Sequence, residues 1–175
     1  MRRIGSLAWI VLILAMLVAW PNGASAQGGY QVVTGKEFDS AMPKDFYLEG
    51  NAIPTQKRNA ALVKSPAGAR ALFALIDTTG YSSHIQQKYE GMLITEGEIS
   101  VCGNRVGVGS YGFGYTKPVP TSTEDSTFTL YSQAGGKQFE CKTKKDAEIK
   151  QPKPLQVVGG EPAKLYLGRF WLELK

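Results

Sequence analysis

The chain has 175 residues, of which 43% are hydrophobic and 20% are charged, and its formal net charge is +5 at pH 7. This length and composition suit one globular domain with a sizeable core and do not require a second. The basic excess is small, and no dense face of Lys and Arg is visible, which argues against a nucleic-acid partner.

The N-terminus has the layout of a secretory signal peptide. A basic pair, Arg2-Arg3, precedes an almost purely apolar run over residues 4–20, and Ala24-Ser25-Ala26 supplies the small residues that a signal peptidase accepts. We therefore predict a signal-peptide helix over residues 1–26, cleavage before Gln27, and a periplasmic or secreted protein with no stable membrane span after cleavage. The alternative is an uncleaved anchor, because the run approaches the ~17–25 residues that cross a bilayer.

After the signal peptide, we predict a partly ordered lead-in over residues 27–45 and a single β-rich domain over residues 46–175. Short apolar runs alternate there with Gly, Pro and Asn turn signals, and helical periodicity is almost absent. This pattern is typical of an antiparallel all-β fold, either a β-sandwich or a small barrel.

In chain order, apolar runs and turn residues predict the separate elements. They are a strand at 46–48; a hairpin of 59–64 with 69–77; a helical turn within 80–87; a strand at 89–95 that returns through Glu96-Gly97 as 98–102; a hairpin turn at Gly103-Asn104; a loop at 117–127; a hairpin of 127–132 with 137–143; a surface connection at 142–154; and a closing hairpin of 155–158 with 163–175.

Cys102 and Cys141 are the two cysteines of the chain. In an oxidising compartment they are expected to form one disulfide, which contributes roughly 3–4 kcal/mol in the chain-entropy description. The alternative is two buried thiols that never meet. His84 is the one histidine, and without close spacing to the cysteines it completes no ligand set. We predict no metal and no cofactor.

A glycine-rich stretch at 107–114, GVGSYGFG, matches the G-x-G-x-x-G spacing of nucleotide-binding loops. Pro118 and Pro120 follow where a helix would have to begin to face a phosphate, so we predict a strand and no nucleotide. Side chains alternate across a strand, which places three aromatic residues on one face and glycines on the other. The aromatic stripe, either core or one wall of a ligand pocket, consists of Tyr111, Phe113 and Tyr115.

The Gly-Ser-Tyr-Gly-Phe run at 109–113, preceded by a hairpin, resembles the G-x-Y-x-F strand of small secreted transthyretin-like and carbohydrate-binding-like sandwiches. Such domains are mostly binding or accessory modules, so the resemblance implies a sandwich fold and a binding role.

No catalytic set can be assembled from the sequence. The nucleophile-elbow spacing fails at Val108, two residues before Ser110. His84 could serve as a base for Ser82 or Ser83, but a surface-loop histidine is the simpler interpretation. We predict a non-enzymatic cell-envelope module that binds a protein or glycan partner. The alternatives are a small β-barrel carrier of an apolar ligand, with the aromatic stripe and His84 as candidate ligand contacts, and an uncharacterised hydrolase-type enzyme.

Overall fold

A computed structural model describes residues 28–116 and 126–175. The predicted signal peptide and residues 117–125 of the predicted loop lie outside the described residues. Within them the chain forms these elements: β1 (Gln31–Val33), α1 (Lys36–Ala41), β2 (Asp45–Leu48), β3 (Asn51–Lys64), β4 (Arg70–Ile76), α2 (Ser83–Lys88), β5 (Gly91–Thr95), β6 (Ile99–Val101), β7 (Asn104–Val106), β8 (Gly109–Thr116), β9 (Thr127–Ser132), β10 (Lys137–Lys142), β11 (Lys144–Lys145), β12 (Gln156–Val158), β13 (Ala163–Leu167) and β14 (Phe170–Leu174).

The strands form two antiparallel sheets. The large sheet has the order β1-β3-β4-β5-β8-β9-β10 with β2 added on β3, and the small sheet has the order β12-β13-β14-β6-β7 with β11 added on β14. Neither sheet closes on itself, so the all-β sandwich prediction is confirmed and the small-barrel alternative is wrong. The lead-in contributes β1, which pairs with β3.

Two hydrophobic clusters hold the fold together, one on each face of the large sheet. The cluster between the sheets contains Phe73, Phe113 and Leu165 among others. The cluster on the outer face of the large sheet includes Ile85 of α2 and Tyr89. Among the residues that the structure describes, no helix is long and apolar enough to cross a membrane.

The double covering of the large sheet explains the nearly continuous apolar run of β4. Phe73 faces the inner cluster, whereas Leu72 and Ala74 face the outer cluster. A strand buried on both faces does not need to alternate polar and apolar residues. The hairpin of β3 and β4 and the helical turn at α2 are thereby confirmed.

Two predicted connections are wrong. The segment after Glu96-Gly97 does not pair back onto β5; β6 crosses to the small sheet, where it pairs with β7 and β14. The segment at 163–175 is not one strand, because Gly168, at a φ of 65°, turns the chain between β13 and β14. Only the first error depends on partners distant in sequence, because β13 and β14 pair with each other directly across Gly168.

The predicted pairing of the cysteines is confirmed at disulfide bonding distance, with the two Cα atoms 6.4 Å apart. Cys102 lies in the turn between β6 and β7 of the small sheet, and Cys141 lies in β10, at one edge of the large sheet. Cys102 and Gly103 both have positive φ, as a two-residue hairpin turn requires. The disulfide therefore joins the two sheets to each other.

Candidate functional site

Residues 109–114 of the glycine-rich stretch lie in β8, a central strand of the large sheet between β5 and β9, so the predicted strand is confirmed. Phe113 is fully buried between the sheets and stacks on Phe128 at a centroid distance of 5.3 Å. Tyr111 packs at the margin of the same cluster, and its hydroxyl donates to the Gly107 carbonyl oxygen. Tyr115 lies next to Phe170 of the small sheet, with ring centroids 6.2 Å apart. The three aromatic side chains thus have different surroundings along one face.

The glycine face of β8 is covered by the segment that leaves α2. A Cβ atom at Gly112 would lie 2.6 Å from the Tyr89 ring, and one at Gly114 would overlap the carbonyl oxygen of Lys88. Real Cβ atoms do not approach other atoms this closely, so both positions require glycine for close packing. The glycines of β8 allow the Lys88-Tyr89 backbone to lie directly on the sheet.

Three side chains of α2 and the segment that leaves it meet Glu49 of the β2–β3 turn in a polar group, which we name the Glu49 cluster: Glu49, His84, Lys88 and Tyr89. Glu49 Oε1 accepts hydrogen bonds from Lys88 Nζ at 2.5 Å and from the Tyr89 hydroxyl at 2.6 Å. Glu49 Oε2 lies 3.1 Å from His84 Nε2. Lys88 Nζ also donates to the Gly135 carbonyl oxygen and lies over the Tyr131 ring. The cluster ties the α2 segment to the β2–β3 and β9–β10 turns.

The electrostatics of the Glu49 cluster favour a charged carboxylate. The hydrogen bond from Lys88, followed by that from Tyr89, lowers the pKa of Glu49 from 4.5 to about 2 against the opposing effect of burial. Burial raises the pKa of Tyr89, and its hydrogen bond to the carboxylate adds to the effect. Glu49 is therefore an anion and Tyr89 a neutral donor at neutral pH.

Replacing Glu49 with glutamine is expected to destabilise the protein by about 2 kcal/mol at pH 7, because Lys88 is left half-buried without its anion. A carboxyl group whose pKa is lowered on folding stabilises the native state above its unfolded pKa of 4.5 and loses that contribution as the pH falls toward 2. Urea midpoints should therefore converge for Glu49→Gln and the unsubstituted protein between pH 4.5 and about 2.

The matched control is Glu148→Gln, since Glu148 is exposed on the connection between β11 and β12. Its urea midpoint should follow that of the unsubstituted protein at every pH. A constant difference between Glu49→Gln and the unsubstituted protein down to pH 2 would show that the carboxylate charge is not what stabilises this region.

The position of His84 bears on the hydrolase alternative. The His84 side chain is 62% exposed and its ring contacts Glu49, whereas the Ser82 hydroxyl caps α2 by accepting from the Ile85 amide. The imidazole of His84 and the hydroxyl of Ser82 therefore contact different partners and not each other. Over residues 28–116 and 126–175, no group of three or more His, Cys, Asp or Glu side chains could hold a metal ion.

A cleft of about 470 Å³ lies on the opposite face of β8, at the Tyr115 end of the sandwich. Leu75 of β4 and Tyr115 form its wall on the large sheet, and residues 167–170, around the turn from β13 to β14, form its wall on the small sheet. Residues 152–154, which include two prolines, line its margin. Its volume falls within the ~300–1,000 Å³ range of small-molecule sites.

The cleft is held in place by backbone hydrogen bonds to the connection before β12. The Gly168 amide donates to the Lys153 carbonyl oxygen at 3.1 Å, and the Asp146 amide donates to the Arg169 carbonyl oxygen at 2.8 Å. Arg169 Nη1 also donates to the Ile149 carbonyl oxygen. These bonds therefore join the small-sheet wall of the cleft to the connection that forms its margin.

Among the residues that the structure describes, one polar atom of the cleft wall has no hydrogen-bond partner. The Tyr115 hydroxyl is buried and makes no hydrogen bond, while the nearby Ser126 hydroxyl donates its own proton to the Thr116 carbonyl oxygen. Burial raises the pKa of Tyr115, and the neighbouring Ser126 lowers it to a smaller extent. The Tyr115 hydroxyl is therefore protonated at neutral pH.

Of the four predicted ligand contacts, the structure brings only Tyr115 to the cleft wall. Phe113 lies in the core, Tyr111 lies at the other end of the strand, and His84 lies across the large sheet. Sequence reasoning missed Arg169 and Phe170, which line the cleft. The signal that could have found them is the lone Gly168 inside an apolar run, because an isolated glycine in a strand pattern marks a turn or a close approach.

Comparison with known proteins gives no relative: no protein-family model, no curated protein and no solved structure matches this chain. The likeness to transthyretin-like and carbohydrate-binding-like sandwiches stays a prediction.

Proposed function

We propose that the protein is exported to the cell envelope and acts there as a non-enzymatic binding module. The cleft between Tyr115 and the turn from β13 to β14 is its ligand site. The occupant is a small molecule with an apolar body. This proposal combines the predicted binding module with the predicted carrier of an apolar ligand, and it places the ligand site on an open sandwich instead of in a barrel.

The observation that carries this proposal is the composition of the cleft walls. Leu75, Leu167 and Phe170 line the cleft together with the Tyr115 ring. Apolar walls around a few polar groups are the usual make-up of a small-molecule site. Removing an apolar ligand from water stabilises the complex by about 25 cal/mol per Å² of buried apolar surface.

Export is supported by the signal-peptide pattern and by the disulfide pairing of Cys102 with Cys141. Expression of the complete chain, followed by mass measurement of the accumulated protein, tests it. The expected mass corresponds to a chain that begins at Gln27 with its disulfide formed. A cytoplasmic protein that retains residues 1–26 would contradict export.

A thermal-shift screen with apolar molecules tests the binding role. A ligand that binds the native state raises the melting temperature. At a concentration of 100 times its Kd, it increases the free energy of unfolding by about 2.7 kcal/mol. The variant Leu75→Trp should abolish the shift, because the larger ring occupies the cleft from the β4 side.

The matched control is Val108→Trp, which adds the same ring at a position that is 70% exposed and not part of the cleft. It should retain the full shift. Shifts of equal size in both tryptophan variants would place the ligand elsewhere. If no small molecule changes the melting temperature and a protein or glycan is crosslinked in intact cells, the ligand class is wrong.

A further inference from the structure

The polar groups of the cleft indicate what the ligand carries besides its apolar body. Arg169 and Lys153 line the cleft, and among the described residues no carboxylate forms an ion pair with either. Glu90 also lines it and has an interaction of its own. The described lining therefore holds two cationic side chains against one carboxylate.

The donor capacity of these side chains is only partly used. A guanidinium carries five N–H donors, and the Ile149 carbonyl oxygen takes one donor of Arg169. Arg169 borders the apolar cleft, and an anionic group in the ligand would accept from its remaining donors.

We propose that the ligand is an apolar chain or ring system that ends in one anionic group, an inference that rests on the proposed function of the cleft. The apolar body lies against Leu75, Leu167 and Phe170, and the anionic group lies toward Arg169 and Lys153. A carboxylate and a phosphate ester share this chemistry, so a fatty acid and a lipid phosphate are the two sources to distinguish.

Calorimetric titration with four probes of the same alkyl chain tests the inference on protein purified after expression of the complete chain. The probes are dodecanoate, dodecyl phosphate, dodecanol and dodecyltrimethylammonium, with the charged probes below their micelle concentrations and dodecanol below its solubility limit. We expect one or both anions to bind about tenfold more tightly than dodecanol, which corresponds to one charge-assisted hydrogen bond. The cationic probe should bind most weakly.

The outcomes separate the two proposals. Tighter binding of dodecanoate than of dodecyl phosphate assigns the site to carboxylates, and the reverse order assigns it to phosphate esters. Equal binding of dodecanol and both anions would overturn the anionic group and leave the apolar site standing. Binding of none of the four probes would contradict the proposed function itself.

Charge-removing variants complete the test. Lys153→Gln should weaken binding of the preferred anion several-fold and leave dodecanol unchanged. Arg169→Gln should weaken binding of the anion more than Lys153→Gln does. It also removes the hydrogen bond to the Ile149 carbonyl oxygen, so Lys153→Gln is the decisive variant. The control is Arg58→Gln on the exposed surface of β3, which should leave all four affinities unchanged. Equal losses for anion and alcohol in Lys153→Gln would overturn the charge assignment.

Discussion

Replacing Gly114 with alanine is expected to destabilise the protein by about 3 kcal/mol, the upper range for a forced overpacking. The new Cβ atom would overlap the Lys88 carbonyl oxygen and lie 3.4 Å from the Tyr131 ring. A backbone oxygen cannot turn away as a flexible side chain can, so the α2 segment would have to rise from the sheet. Urea unfolding with a common m-value measures the difference.

The control for Gly114→Ala is Gly107→Ala. A Cβ atom at Gly107 would meet no atom within 4 Å, and its backbone lies outside the left-handed region. Alanine at this position reduces the conformational entropy of the unfolded chain. We expect it to raise the free energy of unfolding by no more than about 1 kcal/mol. Equal destabilisation by the two substitutions would show that the close approach of Lys88 to β8 does not carry the effect.

Loss of the disulfide is expected to have the largest effect on stability. Cys102 and Cys141 are 39 residues apart, and opening a loop of that size costs about 4 kcal/mol in the chain-entropy description. For a protein of this length, that corresponds to a decrease of roughly 10 °C in melting temperature. The double variant Cys102→Ser, Cys141→Ser and the chemically reduced protein should show the same decrease.

A reducing agent should leave the melting temperature of the double variant unchanged, which serves as the control for effects of the reagent. The prediction depends on the bond constraining the unfolded chain and holding the small sheet to the β10 edge of the large sheet. A double variant that melts at the temperature of the oxidised protein would contradict both roles.

Patterns local in sequence were sufficient to predict much of the large sheet. The alternation along β8 predicted which face carries Tyr111, Phe113 and Tyr115, because side chains in a strand have a period of two. The hairpin of β3 and β4 was predictable because its turn residues and both strands lie within one short stretch. Predictions of this kind need no information about distant partners.

The paths between the sheets could not be predicted, because the same turn residues serve two outcomes. Glu96-Gly97 suits a hairpin that returns beside β5, yet β6 pairs with β14 at the far end of the chain. What decides the path is the burial of Ile99 and Val101 in the cluster between the sheets, to which strands from distant parts of the sequence contribute. No window around Glu96 contains that information.

The polar sites were missed for a related reason. Glu49 meets Lys88 and Tyr89 only because the β2–β3 turn and the α2 segment come together on the large sheet. The cleft combines β4, β8 and the turn from β13 to β14, and each supplies side chains that look ordinary in isolation. Such sites arise from tertiary pairing, so their residues could be identified as members of strands but not as neighbours.

The place on the protein where an apolar anion binds tests the proposed ligand site most directly. Two-dimensional NMR of isotope-labelled protein titrated with dodecanoate measures this residue by residue. We expect the largest amide shift changes at Leu75, Tyr115 and residues 167–170, and we expect them to disappear in Leu75→Trp. Shift changes confined to the Glu49 cluster or to the outer surface of the small sheet, or none at saturating dodecanoate, would contradict the proposed ligand site.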